Sequence, residues 1–177
     1  DSYVDLHGAG VRDDGDAGLL LGSTMVLGVV QRAKPSPTNL AANGLRVTPY
    51  IGDTWFAGGW TSSSGSLLDW AGGFVSPNGA PLSLPAAHAL LALPYFAGER
   101  APVWDPLARG AILGPTLATT SADIAAALRE SVALSTLDIA DRLAHTLGGI
   151  ARYRVAGGGV HNAAWAQDTA DALGRPL

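Results

Sequence analysis

The stretch that decides the fold is RVAGGGVHNAAWAQDTADALGRPL, residues 154–177. An apolar strand pattern leads into three consecutive glycines, which are followed by an alanine-rich helix pattern. Glycine weakens both strands and helices, so three of them at this junction indicate that something approaches the backbone closely. The candidate is a phosphate or a nucleotide, because backbone N–H groups and the positive end of a helix dipole would meet there. A tight turn with close helix packing explains the glycines equally well.

The triplet does not match the two best-known phosphate-binding motifs. No Gly-Lys-Ser/Thr follows it, as a Walker A loop requires, and Asn162 stands where a dinucleotide fingerprint has its third glycine. The local pattern instead predicts a strand over residues 151–156, a glycine turn, Asn162 as N-cap and a helix over Ala163–Leu173.

A second glycine-bearing turn lies near the start of the chain. Two β-rich runs, Leu19–Leu21 and Val26–Val30, are joined through Gly22-Ser23-Thr24, which predicts a hairpin with a small hydroxyl-bearing tip. Small hydroxyl residues often serve only the turn itself. A nucleotide clamped between two lobes, however, needs more than one contact with backbone, and two such turns in one chain favour a ligand site.

The remaining patterns complete an α/β protein. After a loop over residues 33–44, residues 45–60 are predicted to be extended, interrupted at Pro49 and Gly52. A helix is predicted near residues 64–74, with Leu67, Leu68, Trp70 and Ala71 on one face, a short helix over Pro85–Leu93 and a strand over Ala111–Leu113. From Ser121 the pattern is helical, with Ser121 or Asp123 as the cap; its apolar positions are Ile124, Leu128, Val132, Leu137 and Leu143. We expect one domain with its sheet and helices in layers.

Composition excludes several classes of function. The 177 residues are 47% hydrophobic with a formal net charge of −4, and the 11 Lys and Arg residues are scattered, which argues against nucleic acid or an anionic membrane as partner. Without cysteine there is no disulfide, thiolate metal site or cysteine nucleophile. The four histidines have no metal-ligand spacing. No apolar run approaches the roughly 20 residues of a membrane span, so we expect a soluble, cytoplasmic protein.

Three segments resemble motifs of one protein family, and they occur in the same order as in that family. LPYFAGERAPVWDPLARGAILG, residues 93–114, resembles the signature region of the FGGY carbohydrate kinases, which include xylulokinase, ribulokinase, gluconokinase and glycerol kinase. GDAGLLLGSTMVLG resembles the phosphate-contacting hairpin of that family, and VAGGGVHNAAWAQDTADALGRPL resembles its adenosine motif. The resemblance implies an actin-like ATPase fold built on a ribonuclease-H-like sheet. Residues 1–177 would be its C-terminal nucleotide-binding lobe, truncated at both ends and lacking the N-terminal lobe that supplies most of the sugar site.

The resemblance also implies roles for individual residues. Asp1 would be the catalytic base, since Gly8 and Gly10 follow it seven and nine positions later, as in the family. The implied nucleotide contacts are the hairpin tip, one glycine ahead of a helix, the glycine triplet and an amide that would bond the purine or ribose edge: Gly22, Ser23, Thr24, Gly65, Gly157, Gly158, Gly159 and Asn162. No metal ligand is predicted in this chain. Departures from the family pattern at Pro115, Leu128 and Arg129 lie in the helical scaffold and are expected to be lineage variation.

The implied function is ATP-dependent phosphorylation of a sugar hydroxyl, with Mg²⁺ bridging the phosphates. The segment GERAP looks more like the ketose kinases than like glycerol kinase, which favours a ketose such as D-xylulose. A kinase for gluconate or glycerol, and a non-catalytic nucleotide or sugar sensor on the same fold, remain as alternatives. The expected partners are a small sugar and the N-terminal lobe of the same polypeptide, and a homodimer is left open. The isolated lobe is expected to be inactive.

Overall fold

The computed structural model describes residues 2–75, 89–150 and 152–177. Asp1, residues 76–88 and residue 151 lie outside the described residues. The strands are β1 Ala17–Leu21, β2 Met25–Gln31, β3 Arg46–Pro49, β4 Trp55–Trp60, β5 Leu91–Leu93, β6 Ala111–Leu113 and β7 Tyr153–Ala156. The helices are α1 Ser2–Gly8, α2 Pro37–Ala42, α3 Gly65–Val75, α4 Ser121–Leu147 and α5 Ala163–Leu173, with a 3₁₀ turn at Gly158–His161.

Within the described part of the chain, five strands form one mixed sheet in the order β3-β4-β2-β1-β7, and β5 pairs with β6 separately. All neighbours in the large sheet are antiparallel except β1 and β7, which run parallel with Leu20 opposite Ala156. The carboxyl ends of these two strands therefore lie side by side. The hairpin tip that follows β1 and the glycine turn that follows β7 are brought to the same edge of the sheet.

The sheet is buried on both faces. Along β1, Leu19 and Leu21 belong to a large cluster shared with α4, while Leu20 points into a smaller cluster with Leu6 of α1 and Phe56 of β4. Successive side chains of a strand point to opposite faces, so a continuous apolar run is what a strand covered on both sides requires. Both clusters hold the ends of β1 and β7 in place.

Most of the elements predicted from the sequence are confirmed. The hairpin, the strand Ala111–Leu113, the helix from Ser121 and the final strand, turn and helix are all present. The cap of α4 was predicted wrongly, because Thr120 and not Ser121 is the N-cap residue. The Thr120 side chain accepts a hydrogen bond from the Asp123 N–H, while the Asp123 carboxylate accepts one from the Thr120 N–H, which makes a capping box.

Three local predictions were wrong. Residues 33–44 contain α2, which Ser36 caps and Pro37 begins, because proline is well tolerated in the first turn of a helix. Leu91–Leu93 is a strand paired with β6 and not the end of a helix, and the rest of that predicted helix, including His88, lies outside the described residues. Trp70 is about half exposed, so it does not share the buried face of Leu67 and Ala71.

In the described ranges no helix combines the length and apolar character needed to cross a membrane.

Candidate functional site

A cavity of about 400 Å³ lies at the sheet edge where β1 and β7 end. Three segments that are far apart in the sequence line it: the hairpin tip, the first turns of α3, and the turn between β7 and α5. The lining residues are Gly22, Ser23, Gly65, Leu68, Asp69, Gly158, Gly159, Asn162 and Trp165. Six of them were singled out from the sequence as nucleotide contacts.

The start of α3 fixes the hairpin tip by backbone contacts. The N–H of Ser64 donates to the Ser23 carbonyl at 2.9 Å, and the N–H of Gly65 donates to the Gly22 carbonyl at 3.0 Å. Ser66 donates to the Ser23 carbonyl with both its N–H, at 3.1 Å, and its hydroxyl, at 2.9 Å. A Cβ on Gly65 would lie 2.7 Å from the Gly22 oxygen, so glycine is needed there for the two backbones to meet.

The three consecutive glycines are not all explained in the same way. Gly157 has φ of +95°, and a Cβ there would lie 2.5 Å from the Leu21 carbonyl oxygen. A Cβ on Gly159 would lie 2.3 Å from the Trp165 ring. At Gly158, by contrast, no atom of the described residues lies within 4 Å of the added Cβ. Gly157 and Gly159 are therefore explained by packing within the protein, and Gly158 alone presents open backbone to the cavity.

Asn162 joins the cavity to the start of α5. Its Oδ1 accepts a hydrogen bond from the Trp165 N–H at 3.1 Å, which confirms Asn162 as the N-cap residue. The cap occupies the oxygen of the side-chain amide, and the NH₂ group is the part that can donate to a ligand. Asn162 is exposed, so a ligand can reach it.

Three lining residues were not found by sequence reasoning. Leu68 and Asp69 follow Gly65 by three and four residues on α3, and Trp165 follows Asn162 by three residues on α5. Positions three and four apart share a face of a helix, so helical spacing from Gly65 and Asn162 was the signal that could have identified them. Leu68 and Trp165 give the cavity an apolar wall, while Asp69 adds a carboxylate.

Thr24 and Gly157 are not among the residues that line this cavity. Asp1 lies outside the described residues. Gly8 ends α1, and Gly10, with φ of +90°, turns the chain back toward β1. Among the described residues no group of three or more His, Asp or Glu side chains could hold a metal ion.

The turn after Gly10 is organised by Asp16. Its Oδ2 accepts hydrogen bonds from the N–H groups of Arg12 and Asp13, each at 2.9 Å. Burial alone would raise the pKa of Asp16, but these N–H bonds, together with the nearby guanidinium groups of Arg154 and Arg152, lower it below its usual value. This carboxylate ties Arg12 and Asp13, which follow Gly10, to the beginning of β1.

Comparison with known proteins identifies the family. The model of the C-terminal domain of the FGGY family of carbohydrate kinases matches residues 19–177. A glycerol kinase from Oleidesulfovibrio alaskensis is 36% identical over 164 residues, which are 88% of this chain and 33% of that protein. The chain thus spans about a third of the length of this curated relative.

Two solved structures share the fold over nearly the whole chain. A xyloylose kinase from Brucella ovis superposes with a TM-score of 0.85 at 25% identity, covering 99% of this chain and 37% of that one. A xylulose kinase from Rhodospirillum rubrum gives a TM-score of 0.83 at 26% identity, covering 99% and 36%. The predicted fold, an actin-like ATPase domain with a ribonuclease-H-like sheet, is confirmed. With its sheet order, its glycine-lined cavity and the matching family model, this chain belongs to the FGGY family of carbohydrate kinases, as a C-terminal domain.

Proposed function

We propose that the protein containing this chain transfers the γ-phosphate of ATP to a hydroxyl group of a sugar or polyol. The observation that carries the proposal is the convergence of Gly22, Ser23, Gly65, Gly158 and Asn162 on one cavity. The family resemblance named these residues as nucleotide contacts, although they come from three distant segments. A scaffold alone would not need open backbone and an exposed amide to meet at one place.

The chemistry of the lining suits a nucleotide. The exposed Ser23 hydroxyl and the hairpin backbone offer donors to phosphate oxygens, and Gly158 permits close approach because it has no side chain. The Asn162 NH₂ can donate to a ring nitrogen or a ribose oxygen. Leu68 and Trp165 provide an apolar surface against which a base or ribose can lie.

We propose Asp1 as the base of the reaction. Its carboxylate would accept the proton of the acceptor hydroxyl as that oxygen attacks the γ-phosphorus and the bond to the β-phosphate oxygen breaks. The products are ADP, the phosphorylated acceptor and the proton held on the carboxylate. The proposal is supported by the spacing in the sequence, because Gly8 and Gly10 follow Asp1 by seven and nine residues, as the family resemblance implies.

Mg²⁺ would neutralise charge on the transferring phosphates. Because the described residues contain no cluster of acidic and histidine side chains for a metal, we propose that the ion is held by the phosphates, water and the N-terminal lobe.

Two acceptors are supported by different observations. The segment GERAP, residues 98–102, favours a ketose such as D-xylulose, and the xylulose kinase from Rhodospirillum rubrum shares the fold. The curated relative from Oleidesulfovibrio alaskensis, at 36% identity, is a glycerol kinase, which favours glycerol. We propose an open-chain polyol or ketose as the class of acceptor, with the choice between them made by the N-terminal lobe.

We further propose that this lobe belongs to the same polypeptide. We also propose that the enzyme works in the cytoplasm, where a phosphorylated product is retained by its charge.

The test is sugar-dependent ADP release by the full-length protein, measured across ketopentoses, ketohexoses, glycerol, other polyols and gluconate with Mg-ATP. Asp1→Asn is the control, because it preserves size and removes the base. We expect one preferred acceptor, with turnover reduced at least about 1000-fold in the variant, within the range found for loss of catalytic groups. Normal ATP binding without turnover on any acceptor would favour the alternative of a nucleotide sensor.

A further inference from the structure

Glu99 is a buried carboxylate in the segment between β5 and β6. Its side chain is 3% exposed, and its Oε1 accepts hydrogen bonds from the N–H groups of Ser62 at 2.8 Å and Arg100 at 2.7 Å. Its Oε2 is buried and has no hydrogen-bond partner among the described residues. Burial raises the pKa of Glu99, while the two N–H groups and the Arg100 guanidinium oppose that rise. A buried carboxylate costs free energy, so its presence calls for a function.

Glu99 and its neighbours hold the loop that connects β4 to α3, residues 61–64. The Arg100 side chain donates to the Thr61 carbonyl, Glu99 accepts from Ser62, and the N–H of Ala101 donates to the Trp60 carbonyl at 3.1 Å. Residues 99–101 thus bind residues 60–62, which end β4 and begin the loop. The side chains of Glu99 and Arg100 satisfy backbone groups that no strand or helix pairs.

The same loop holds the hairpin tip. The Thr61 N–H donates to the Met25 carbonyl at 3.0 Å, and the Met25 N–H donates to the Thr61 hydroxyl oxygen at 3.1 Å. The hydroxyl groups of Thr61 and Ser64 are 2.8 Å apart, and Ser64 donates its N–H to Ser23. Hydrogen bonds, joined by the backbone of residues 61–65, therefore connect Glu99 to Gly22 and Ser23, two of the residues that line the cavity.

We propose that Glu99 is a positioning residue for the phosphates of the bound nucleotide. It does not contact the nucleotide; it fixes the loop 61–64, which fixes Gly22 and Ser23 against the phosphates. The proposal rests on the proposed function, since it assumes that a nucleotide occupies this cavity. The Glu99 oxygen accepts two N–H groups and so holds a bend in the loop, which an apolar side chain at this position would release. A released loop would leave the hairpin tip free to move. A mobile tip binds phosphate less well, because binding must then order it.

The experiment measures ADP affinity by calorimetry, together with the KM values for ATP and for the preferred acceptor, in the full-length protein. Glu99→Ala removes the acceptor oxygens, and Glu99→Gln keeps Oε1 as an acceptor for both N–H groups. Arg109→Ala is the matched control, because Arg109 is an exposed arginine of the same segment that bonds only carbonyl groups nearby, of Pro106 and Ala108. Arg100→Ala tests the second contact with the loop and replaces Glu99→Ala if that variant does not fold.

We expect Glu99→Ala to weaken ADP binding and raise the KM for ATP about tenfold, and Arg100→Ala about fivefold, while the acceptor KM changes less than about twofold. Glu99→Gln should restore ADP affinity to within about threefold of the wild type, and Arg109→Ala should leave it unchanged. Unchanged ADP affinity in the folded Ala variants overturns the positioning role and leaves the proposed function intact. A wild-type protein that binds no ADP overturns the proposed function, and the positioning role with it.

Discussion

Glycine is used at residues 157–159 for two reasons, packing within the protein and open backbone at the cavity. A matched pair of substitutions tests them. Gly158→Ala should leave the free energy of unfolding nearly unchanged, because the new methyl group meets open space. It should weaken ADP binding about tenfold, because the methyl group would stand where we propose that the nucleotide approaches. Gly159→Ala should instead destabilise the fold by about 1 to 3 kcal/mol, since its methyl group would overlap the Trp165 ring.

Urea unfolding and calorimetric titration with ADP distinguish these outcomes. The close-approach argument fails if Gly158→Ala binds ADP normally and the bulkier Gly158→Val does so too.

Asn162 has two roles that a single alanine substitution would confuse. Its Oδ1 caps α5, so Asn162→Ala should cost about 1 kcal/mol of stability in addition to any nucleotide contact. Asn162→Ser keeps a capping oxygen and removes the NH₂ group, so it should retain the stability of the wild type. If the NH₂ group bonds the nucleotide, the serine variant should lose about 1 to 2 kcal/mol of ADP binding, as for a buried hydrogen bond. Wild-type affinity in the serine variant would remove Asn162 from the list of ligand contacts.

Individual site residues could be predicted most directly where their type is unusual for its place. Glycines and small hydroxyl residues at the ends of strands are such cases, and Gly22, Ser23 and Gly158 were found in this way. Leu68 and Trp165 are ordinary apolar residues of amphipathic helices, so nothing in their type marks them as lining a cavity. Gly157 stays a predicted nucleotide contact, but its closeness to the Leu21 carbonyl, which leaves no room for a Cβ, depends on the pairing of β1 with β7 and could not be predicted.

At the scale of elements, α1 is attached to the sheet through Tyr50, and this attachment should be sensitive to alkali. The Tyr50 hydroxyl lies 3.0 Å from the Val11 carbonyl oxygen and 3.3 Å from that of Tyr3. Burial, with smaller contributions from Tyr3 and Asp16, raises the pKa of Tyr50 to about 12. An ionised Tyr50 would lose its donor and face two carbonyl oxygens. The raised pKa means that its stabilising contribution is complete below pH 10 and is lost as the pH rises toward 12.

Tyr50→Phe should therefore lower the free energy of unfolding by about 1 kcal/mol at pH 8, which is the contribution of a typical hydrogen bond. The difference in unfolding free energy between the wild type and the variant should narrow from pH 10, where the tyrosine of the unfolded chain ionises, to about pH 12, the pKa of Tyr50 in the folded protein. Urea unfolding at fixed pH values, followed by circular dichroism, measures both effects. A difference that stays constant across this interval would show that the hydroxyl does not act as a donor to the carbonyl groups of Val11 and Tyr3.

The elements that the sequence predicted well are those with long patterns. α4 and α5 have several turns of apolar spacing, and the hairpin of β1 and β2 has a clear turn between two apolar runs. α2 and β5 are short, and their formation depends on neighbours: Ser36 caps the first, and pairing with β6 makes the second a strand. The three residues Leu91–Leu93 directly follow a helix-like pattern and carry too little pattern of their own to be separated from its end by sequence alone.

At the scale of the whole molecule, the site exists only when the sheet is complete. Residues 22–23, 65–69 and 158–165 supply its lining, and they meet because β7 adds to the sheet parallel to β1, more than 130 residues along the chain. No single segment of the unfolded chain can reproduce this arrangement. A ligand of the cavity should bind the folded state and ignore the unfolded one.

Nucleotide should therefore stabilise the whole fold by mass action. At ADP concentrations about 100 times the dissociation constant, the free energy of unfolding should rise by about 2.7 kcal/mol, and it should continue to rise with the logarithm of the concentration. The urea midpoint of this chain, followed by tryptophan fluorescence across an ADP series, measures the rise. Gly158→Val supplies the control, because it should match the wild type without ADP and gain little with it. If ADP binds in calorimetry but leaves the midpoint unchanged, the nucleotide contacts a part of the chain that persists after unfolding, and the cavity at the ends of β1 and β7 is not where it binds.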